Sequence, residues 1–487
     1  MMSDMEMLFD DLSEEVTDLE AVKKKGPPNR INDLSYSTWM KYQKSFFRWT
    51  DDQTYVESST LFFTKEFPRE SGTSLTLVVG FEDFQASKNI GAREIIRIPT
   101  ISAQNSIQKI ESQISDSSLD HAVLDLRARN LLLDKPSESF LLEIFHTLNT
   151  KMRNLAYIQL LLPENAPYDY PISWQISRLG SGVMRLRDER IAILENGNCA
   201  YSLIFQRDDE INQEDFLFVP ISISPIEKPK FPGWTIPKPP PRNKNEILHP
   251  AKYPETLIEL FVSEFSKPGD LVFDPMSGTG SSQLAALKLG RKAFGFELMP
   301  EFANIANKRI KSANSGSLFD DVVIDEDLVV TADAIAEDSY KLKPSNFDYV
   351  VTSPPYWSML RNTGSENQRN RRDKDLKTHY SEDDRDLGNI ENYDEFIDVL
   401  VGMYELIGRN MNKASNITIV VKNIKRNHTV YPLAWDLVLK LAAEEGGFEY
   451  VGNTFWCQDD IGMKPFAVGT HWVSNTVHQY CVHLKKK

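Results

Sequence analysis

Short apolar runs closed by turn-forming residues recur along residues 249–487, and between them the apolar positions fall at helical spacing. That alternation predicts strands and helices wound into a mostly parallel α/β sheet. Leu271-Val272-Phe273, Ala293-Phe294-Gly295-Phe296, Leu328-Val329-Val330-Thr331 and Asp348-Tyr349-Val350-Val351 read as strands, with a helix over Gln283 to Leu289. Farther on, Asn416 to Lys422, Leu433 to Glu445, Glu449 to Phe455 and Gln479 to Leu484 give strand, helix, strand, strand. Residues 31–224 carry a similar texture. There Ala122 to Leu126 reads as a strand, Phe140 to Leu148 as a helix and Ala156 to Leu162 as a strand, while Arg185 to Glu195 and Cys199 to Phe205 make a hairpin across Asn196-Gly197. The order loosely echoes the C-terminal half. It suits either a degenerate copy that has lost its loops or an unrelated α/β or α+β domain for target recognition or partner binding.

Between these regions, residues 225–248 hold Pro229, Pro232, Pro237, Pro239, Pro240 and Pro241 among Lys228, Lys230, Lys238, Arg242 and Lys244. This composition predicts a stiff, extended, basic linker. Residues 1–30 are rich in acids, with Met5, Leu8, Phe9, Leu12, Val16 and Leu19 at roughly helical spacing, and read as an acidic tail or a partner-binding helix. Tyr36 to Trp49 interleaves aromatics with bases. Nucleic-acid surfaces do so, and so does a helix with one core face.

Two loops carry the candidate chemistry. Asp274-Pro275-Met276-Ser277-Gly278-Thr279-Gly280 follows the first strand, and Gly278 and Gly280 permit positive φ and close approach of a ligand to the backbone. Glu297 closes the second strand about 20 residues beyond the loop, the offset at which a carboxylate holds ribose hydroxyls. The Gly-x-Gly-x-x-Gly pattern is incomplete, because Gln283 stands at the third glycine, and Asp274 puts an acid where a pyrophosphate would sit. Both features favour a ligand with a cationic end, such as S-adenosylmethionine, over a dinucleotide. Asp333, after the third strand, either accepts the adenine amino group or caps the next turn. The second loop is Thr352-Ser353-Pro354-Pro355-Tyr356-Trp357. Its prolines cannot continue a ladder, so the chain turns at the carboxyl end of a strand, where parallel sheets place ligands. The Ser353 hydroxyl and the Pro354 carbonyl can then accept hydrogen bonds from an NH2 group, with Tyr356 stacked on the ring that bears it.

Together these segments resemble the amino-methylating DNA methyltransferases, in particular the Ser-Pro-Pro-Tyr group that acts on N4 of cytosine. His249-Pro250-Ala251-Lys252-Tyr253-Pro254-Glu255-Thr256-Leu257 is similar to a helix of that family that helps to hold the methionine moiety. The resemblance runs from His249 to the C-terminus and implies a seven-stranded Rossmann-like methyltransferase sheet. It implies S-adenosylmethionine bound near His249, Asp274, Pro275, Ser277, Gly278, Gly280, Glu297 and Asp333. Ser353, Pro354, Pro355 and Tyr356 would face the target amine, on a base flipped out of double-stranded DNA. Many members with such a His-Pro helix place Ser-Pro-Pro-Tyr before the glycine loop, whereas here the loop comes first. The permutation keeps both loops on one sheet and leaves the place of target recognition open. Members that act on N6 of adenine usually carry Asp or Asn where Ser353 stands, so adenine, like an RNA amine, is the alternative among enzymes. A noncatalytic subunit that binds S-adenosylmethionine is the alternative of another class, against which the complete Ser353 to Tyr356 turn argues.

A net charge of −15 over 487 residues disfavours a polyanion unless bases cluster. They do so after the second loop, where Arg361, Arg369, Arg371, Arg372, Lys374 and Lys377 lie in a polar stretch ending at Asp386. With Trp357 this is a candidate DNA clamp, or else an insertion without a role. Residues 31–224 and this stretch would supply DNA affinity and sequence choice, and residues 249–487 the chemistry. Cys199, Cys457 and Cys481 lack metal-ligand spacing and none follows a proline, which leaves no metal site and no Pro-Cys nucleophile for C5 methylation. No apolar run approaches the ~20 residues of a membrane span, and the acidic start lacks the marks of a signal peptide, so a cytoplasmic protein is expected. A restriction or defence partner could dock on the N-terminal domain.

Overall fold

The computed structural model describes residues 31–68, 72–99, 103–127, 135–162, 172–195, 197–209, 233–237, 253–315, 326–357, 383–426, 429–458, 472 and 474–487. The acidic segment 1–30, His249 and the basic cluster from Arg361 to Lys377 lie outside the described residues.

The N-terminal region builds α1 (Tyr36–Lys41), β1 (Phe46–Arg48), α2 (Asp52–Phe63), β2 (Leu75–Val79), β3 (Glu94–Ile98), α3 (Ala103–Gln113), β4 (Leu119–Asp125), α4 (Lys135–Lys151), β5 (Met152–Leu161), α5 (Ile172–Ser181), β6 (Arg185–Ile193) and β7 (Cys199–Gln206). Seven strands form one sheet, in the order β1-β6-β7-β5-β4-β2-β3. Only β7 runs against its neighbours, as its hairpin with β6 requires. Alternate residues of the central strands feed two cores. Leu77, Val79 and Leu124 join side chains of α3 and α4, whereas Val78 and Val123 join Tyr55 and Val56 of α2. Strands covered on both faces bury consecutive apolar residues, as in Leu77-Val78-Val79 and Ala122-Val123-Leu124. The aromatic and basic stretch near residue 40 is largely core. Trp39 and Phe46 are buried and Tyr42 stacks on Phe62 with 4.4 Å between ring centroids.

The C-terminal region adds β8 (Trp234–Thr235), α6 (Glu255–Phe265), β9 (Leu271–Asp274), α7 (Ser281–Lys288), β10 (Lys292–Glu297), α8 (Pro300–Ser315), β11 (Val329–Thr331), β12 (Phe347–Thr352), α9 (Tyr393–Arg409), β13 (Met411–Val421), β14 (Ile424–Arg426), β15 (Thr429–Tyr431), α10 (Leu433–Leu441), β16 (Phe448–Cys457) and β17 (His478–Lys486). The main sheet runs β11-β10-β9-β12-β13-β17-β16-β8, with β17 alone antiparallel. It has eight strands rather than the seven expected. The extra one, β8, comes from inside the Pro-rich linker and pairs Trp234 and Thr235 with Phe455 and Trp456. An edge strand tolerates nearby prolines, since only one side of it needs N–H donors.

Counted from the hairpin edge, the two sheets have one connectivity. β1-β6-β7-β5-β4-β2-β3 corresponds strand for strand to β8-β16-β17-β13-β12-β9-β10, and β11 has no counterpart. In the second sheet the chain leaves β9 outward through β10 and β11, then returns to the other side of β9 as β12. That reversal opens a crevice at the carboxyl ends of β9 and β12. The equivalent point of the first sheet is filled. A Cβ on Gly80 would stand 2.5 Å from the Asp125 carbonyl oxygen, and Phe81 and Phe84 are buried beside it.

Candidate active site

β9 ends at Asp274, and the loop that follows closes at Gly280, which caps α7 in the left-handed region with φ 81°. A side chain there would be strained, and its Cβ would press on Ala306 of α8 at 3.0 Å. Gln283 lies buried where α7 crosses β10 and donates to Ser277 Oγ at 2.8 Å and to the Phe294 carbonyl at 3.3 Å. The glycine missing from the helix is supplied by the strand. A Cβ on Gly295 would stand 2.0 Å from Ser277 Oγ and 2.2 Å from Gln283 Nε2.

Glu297, at the end of β10, turns its carboxylate over the loop. Oε2 accepts from the Gly278 N–H at 2.8 Å and Oε1 from the Met299 N–H at 2.9 Å. Burial nonetheless pushes its carboxyl up to about 7, and the Asp274 and Asp386 carboxylates add to the rise. Each oxygen retains a lone pair for a hydroxyl donor. Asp274 faces the other way. It is fully buried and accepts from the Tyr253 hydroxyl at 2.8 Å, the Ser282 hydroxyl at 2.5 Å and the Met276 N–H at 3.0 Å. It is absent from the lining of the cleft beside the loop, so instead of facing a cationic ligand its buried carboxylate fixes the shape of the loop.

β12 lies beside β9, with Tyr349 opposite Val272 and Val350 opposite Phe273, so Ser353 and the glycine loop leave adjacent strand ends. The Tyr356 hydroxyl donates to Gln479 Oε1 on β17. A phenol has one proton, so in the 3.3 Å contact between Ser353 Oγ and Tyr356 Oη the serine is the donor. Ser353 is thereby turned into an acceptor toward the cleft. Gln479 Nε2 donates to Gln458 Oε1 at 3.2 Å. The Tyr356 ring is buried, with Lys422 Nζ 5.5 Å from its centroid. The stacking platform expected from the sequence is therefore covered, since the ring is held in the core by its own hydroxyl. Trp357 is likewise buried rather than presented to DNA. Its Nε1 donates to the Glu391 carbonyl at 3.1 Å, and its ring packs on Tyr393 and Tyr431.

The glycine loop, Glu297, Asp333, Ser353 and Pro355 line one cleft of about 960 Å³, counting its open mouth. Pro275, Ser277 and Gly278 form its floor, while Leu298, Phe302 and Ile335 give it apolar walls. Asp333 caps its own turn by accepting from the Ile335 N–H at 3.1 Å and still borders the cleft. Pro354 is buried behind the turn. Sequence reasoning missed Tyr253 as a wall residue, and also Arg385, Asp386 and Leu387, which close the cleft from the end of the polar stretch. Nothing local marks them. Among the described residues no group of three or more His, Cys, Asp or Glu side chains is placed to hold a metal ion, and no helix is long and apolar enough to cross a membrane. The cleft offers a carboxylate for a diol, apolar walls for a flat ring and an oriented acceptor for an amine, a donor set that fits S-adenosylmethionine beside a nucleobase.

Residues 198–308 match a family model described as DNA methylase. The match takes in the glycine loop and Glu297 and ends before Ser353. The orphan methyltransferase M.BamHII of Bacillus amyloliquefaciens is 37% identical over 86 residues, which covers 17% of this chain and 32% of that protein. The Type II methyltransferase M2.DpnII of Streptococcus pneumoniae is 36% identical over 66 residues, covering 14% of this chain and 25% of its own length. The chain thus spans about a third or less of the length of these curated relatives. Among solved structures, TrmN from Thermus thermophilus aligns over 80% of each chain at 11% identity with a TM-score of 0.30, a likeness too slight to bear on the fold.

Proposed function

We propose that the protein is a DNA methyltransferase that uses S-adenosylmethionine to methylate an exocyclic base amine, N4 of cytosine. The observation that carries this reading is the Ser353 hydroxyl, forced into the acceptor direction by Tyr356, on the same cleft as the glycine loop and Glu297. When bound, S-adenosylmethionine supplies a methyl group on an electrophilic sulfonium. Glu297 would accept the ribose hydroxyls, Leu298, Phe302 and Ile335 would flank the adenine, and Asp333 would accept its amino group. Gly278 and Gly280 let the ligand approach the backbone.

An amine conjugated with its ring is a poor nucleophile. Ser353 Oγ would accept a hydrogen bond from the amine and draw its lone pair out of conjugation, so that positioning and fixed dipoles supply most of the rate. The target base must leave the duplex, at an unstacking cost of a few kcal/mol. The neutral hydroxyl at position 353, where adenine enzymes usually carry Asp or Asn, supports cytosine. The N-terminal sheet repeats the connectivity but fills its switch point, which supports a degenerate copy without chemistry of its own.

Labelled methyl donor and duplex DNA test the reading. The wild-type protein should label DNA, whereas Ser353→Ala should bind the cofactor normally and transfer methyl roughly a hundredfold more slowly. Equal loss of affinity and transfer in Ser353→Ala would remove Ser353 from the target site.

A further inference from the structure

The N-terminal domain reaches the catalytic turn from behind through two adjacent residues of β6. That strand is irregular between Leu186 and Asp188, and a bulge of this kind re-aims the side chains beyond it. Asp188 and Glu189 are buried, and both enter the C-terminal region. Asp188 accepts from Lys425 Nζ and from the Ser474 N–H. Glu189 accepts from the Tyr480 hydroxyl at 2.5 Å and the Asn423 amide at 2.9 Å, and His478 Nε2 lies 3.5 Å away.

These contacts fall on alternate residues of two segments, and Tyr356 is touched by the residue between them in the first segment and by the residue just before them in the second. On β17, His478 and Tyr480 turn toward Glu189, while Gln479 between them projects to the opposite face and accepts from the Tyr356 hydroxyl. After β13, Asn423 and Lys425 turn toward the N-terminal domain, while Lys422 lies over the Tyr356 ring. Ser45 ties the same strand again, through His478 Nδ1 at 2.6 Å and the Val477 N–H at 2.9 Å. Buried ion pairs seldom stabilise more than apolar packing of the same volume, and their best-attested use is to fix register. Here the register concerns the strand that holds the Tyr356 hydroxyl and the loop that covers its ring.

We infer that Asp188 and Glu189 are positioning residues for methyl transfer: through Gln479 and Lys422 they fix Tyr356, and through Tyr356 the direction in which Ser353 accepts the target amine. The inference rests on the function proposed above. It gives the N-terminal domain a part in positioning the catalytic turn.

Two readouts on the full chain test it. One is single-turnover methyl transfer at saturating S-adenosylmethionine and duplex DNA. The other is the fluorine resonance of 3-fluorotyrosine placed at position 356, which reports the ring without any need for activity. Glu189→Gln, and Glu189→Ala where it folds, should slow transfer roughly tenfold or more, shift the resonance and leave cofactor affinity unchanged. Adding Tyr356→Phe should cost no further rate, because both changes act on one chain of contacts. Additive losses, or an unmoved resonance in folded Glu189→Gln, overturn the inference. A wild-type protein that transfers no methyl to DNA, while the resonance still shifts in Glu189→Gln, overturns the proposed function and leaves the clamp standing.

Discussion

Glu297 is held near the midpoint of its titration at neutral pH because burial outweighs the two backbone bonds it accepts. Hydroxyl donors favour the ionised carboxylate, so cofactor affinity should climb from roughly pH 6 to pH 8 and then level off. Calorimetry at constant ionic strength reads this directly, and Glu297→Gln should bind more weakly at the upper end and lose the slope. A pH-independent wild-type affinity would mean that Glu297 does not touch the ligand. On folding the same burial acts with the opposite sign. A carboxyl raised in the folded state adds stability that is complete below its unfolded value of 4.5 and is lost as pH rises through about 7.

The crossing of α7 over β10 depends on Gly295, since any side chain there meets Ser277 and Gln283. Gly295→Ala should destabilise the protein by roughly 1–3 kcal/mol, the usual cost of overpacking, and weaken the cofactor by displacing Ser277. Thermal melts with and without S-adenosylmethionine measure both effects, and a neutral Gly295→Ala would show that the crossing relaxes freely. This crossing also marks where the sequence stopped being legible. The glycine loop, Glu297 and the strands could be read because their signals lie within one loop or one period of the chain. The missing third glycine read only as an argument against a dinucleotide, and the fold alone shows the compensating glycine on the facing strand. Asp274 read as a ligand because Tyr253 and Ser282 are brought to it by α6 and α7. Tyr356 read as an open platform because Gln479, which holds its hydroxyl, lies 123 residues away in sequence.

The composition shift at 225–248 suggested two separable units, yet the regions on either side share one core. Trp174 packs on Trp435 with 5.9 Å between centroids, and Tyr201 on Phe455 with 5.5 Å, while β8 from the linker completes the second sheet. A chain starting at residue 249 should therefore be insoluble or unfolded, contrary to a division in which catalysis stands alone. Asp188→Ala should cost roughly 3–5 kcal/mol in denaturant unfolding, because it strands Lys425 as a buried charge, and both regions should unfold in one transition. A soluble 249–487 fragment that binds S-adenosylmethionine would refute this unity. Placed together on one cleft, the glycine loop, Glu297 and Ser353 make one chemical claim, that the molecule methylates a base amine in DNA. The most direct test is mass spectrometry of nucleosides from the DNA of cells that express the protein. N4-methylcytosine should appear and vanish with Ser353→Ala. N6-methyladenine alone would overturn the choice of base, and 5-methylcytosine, or no modified base in DNA that carries the target sequence, would contradict the claim itself.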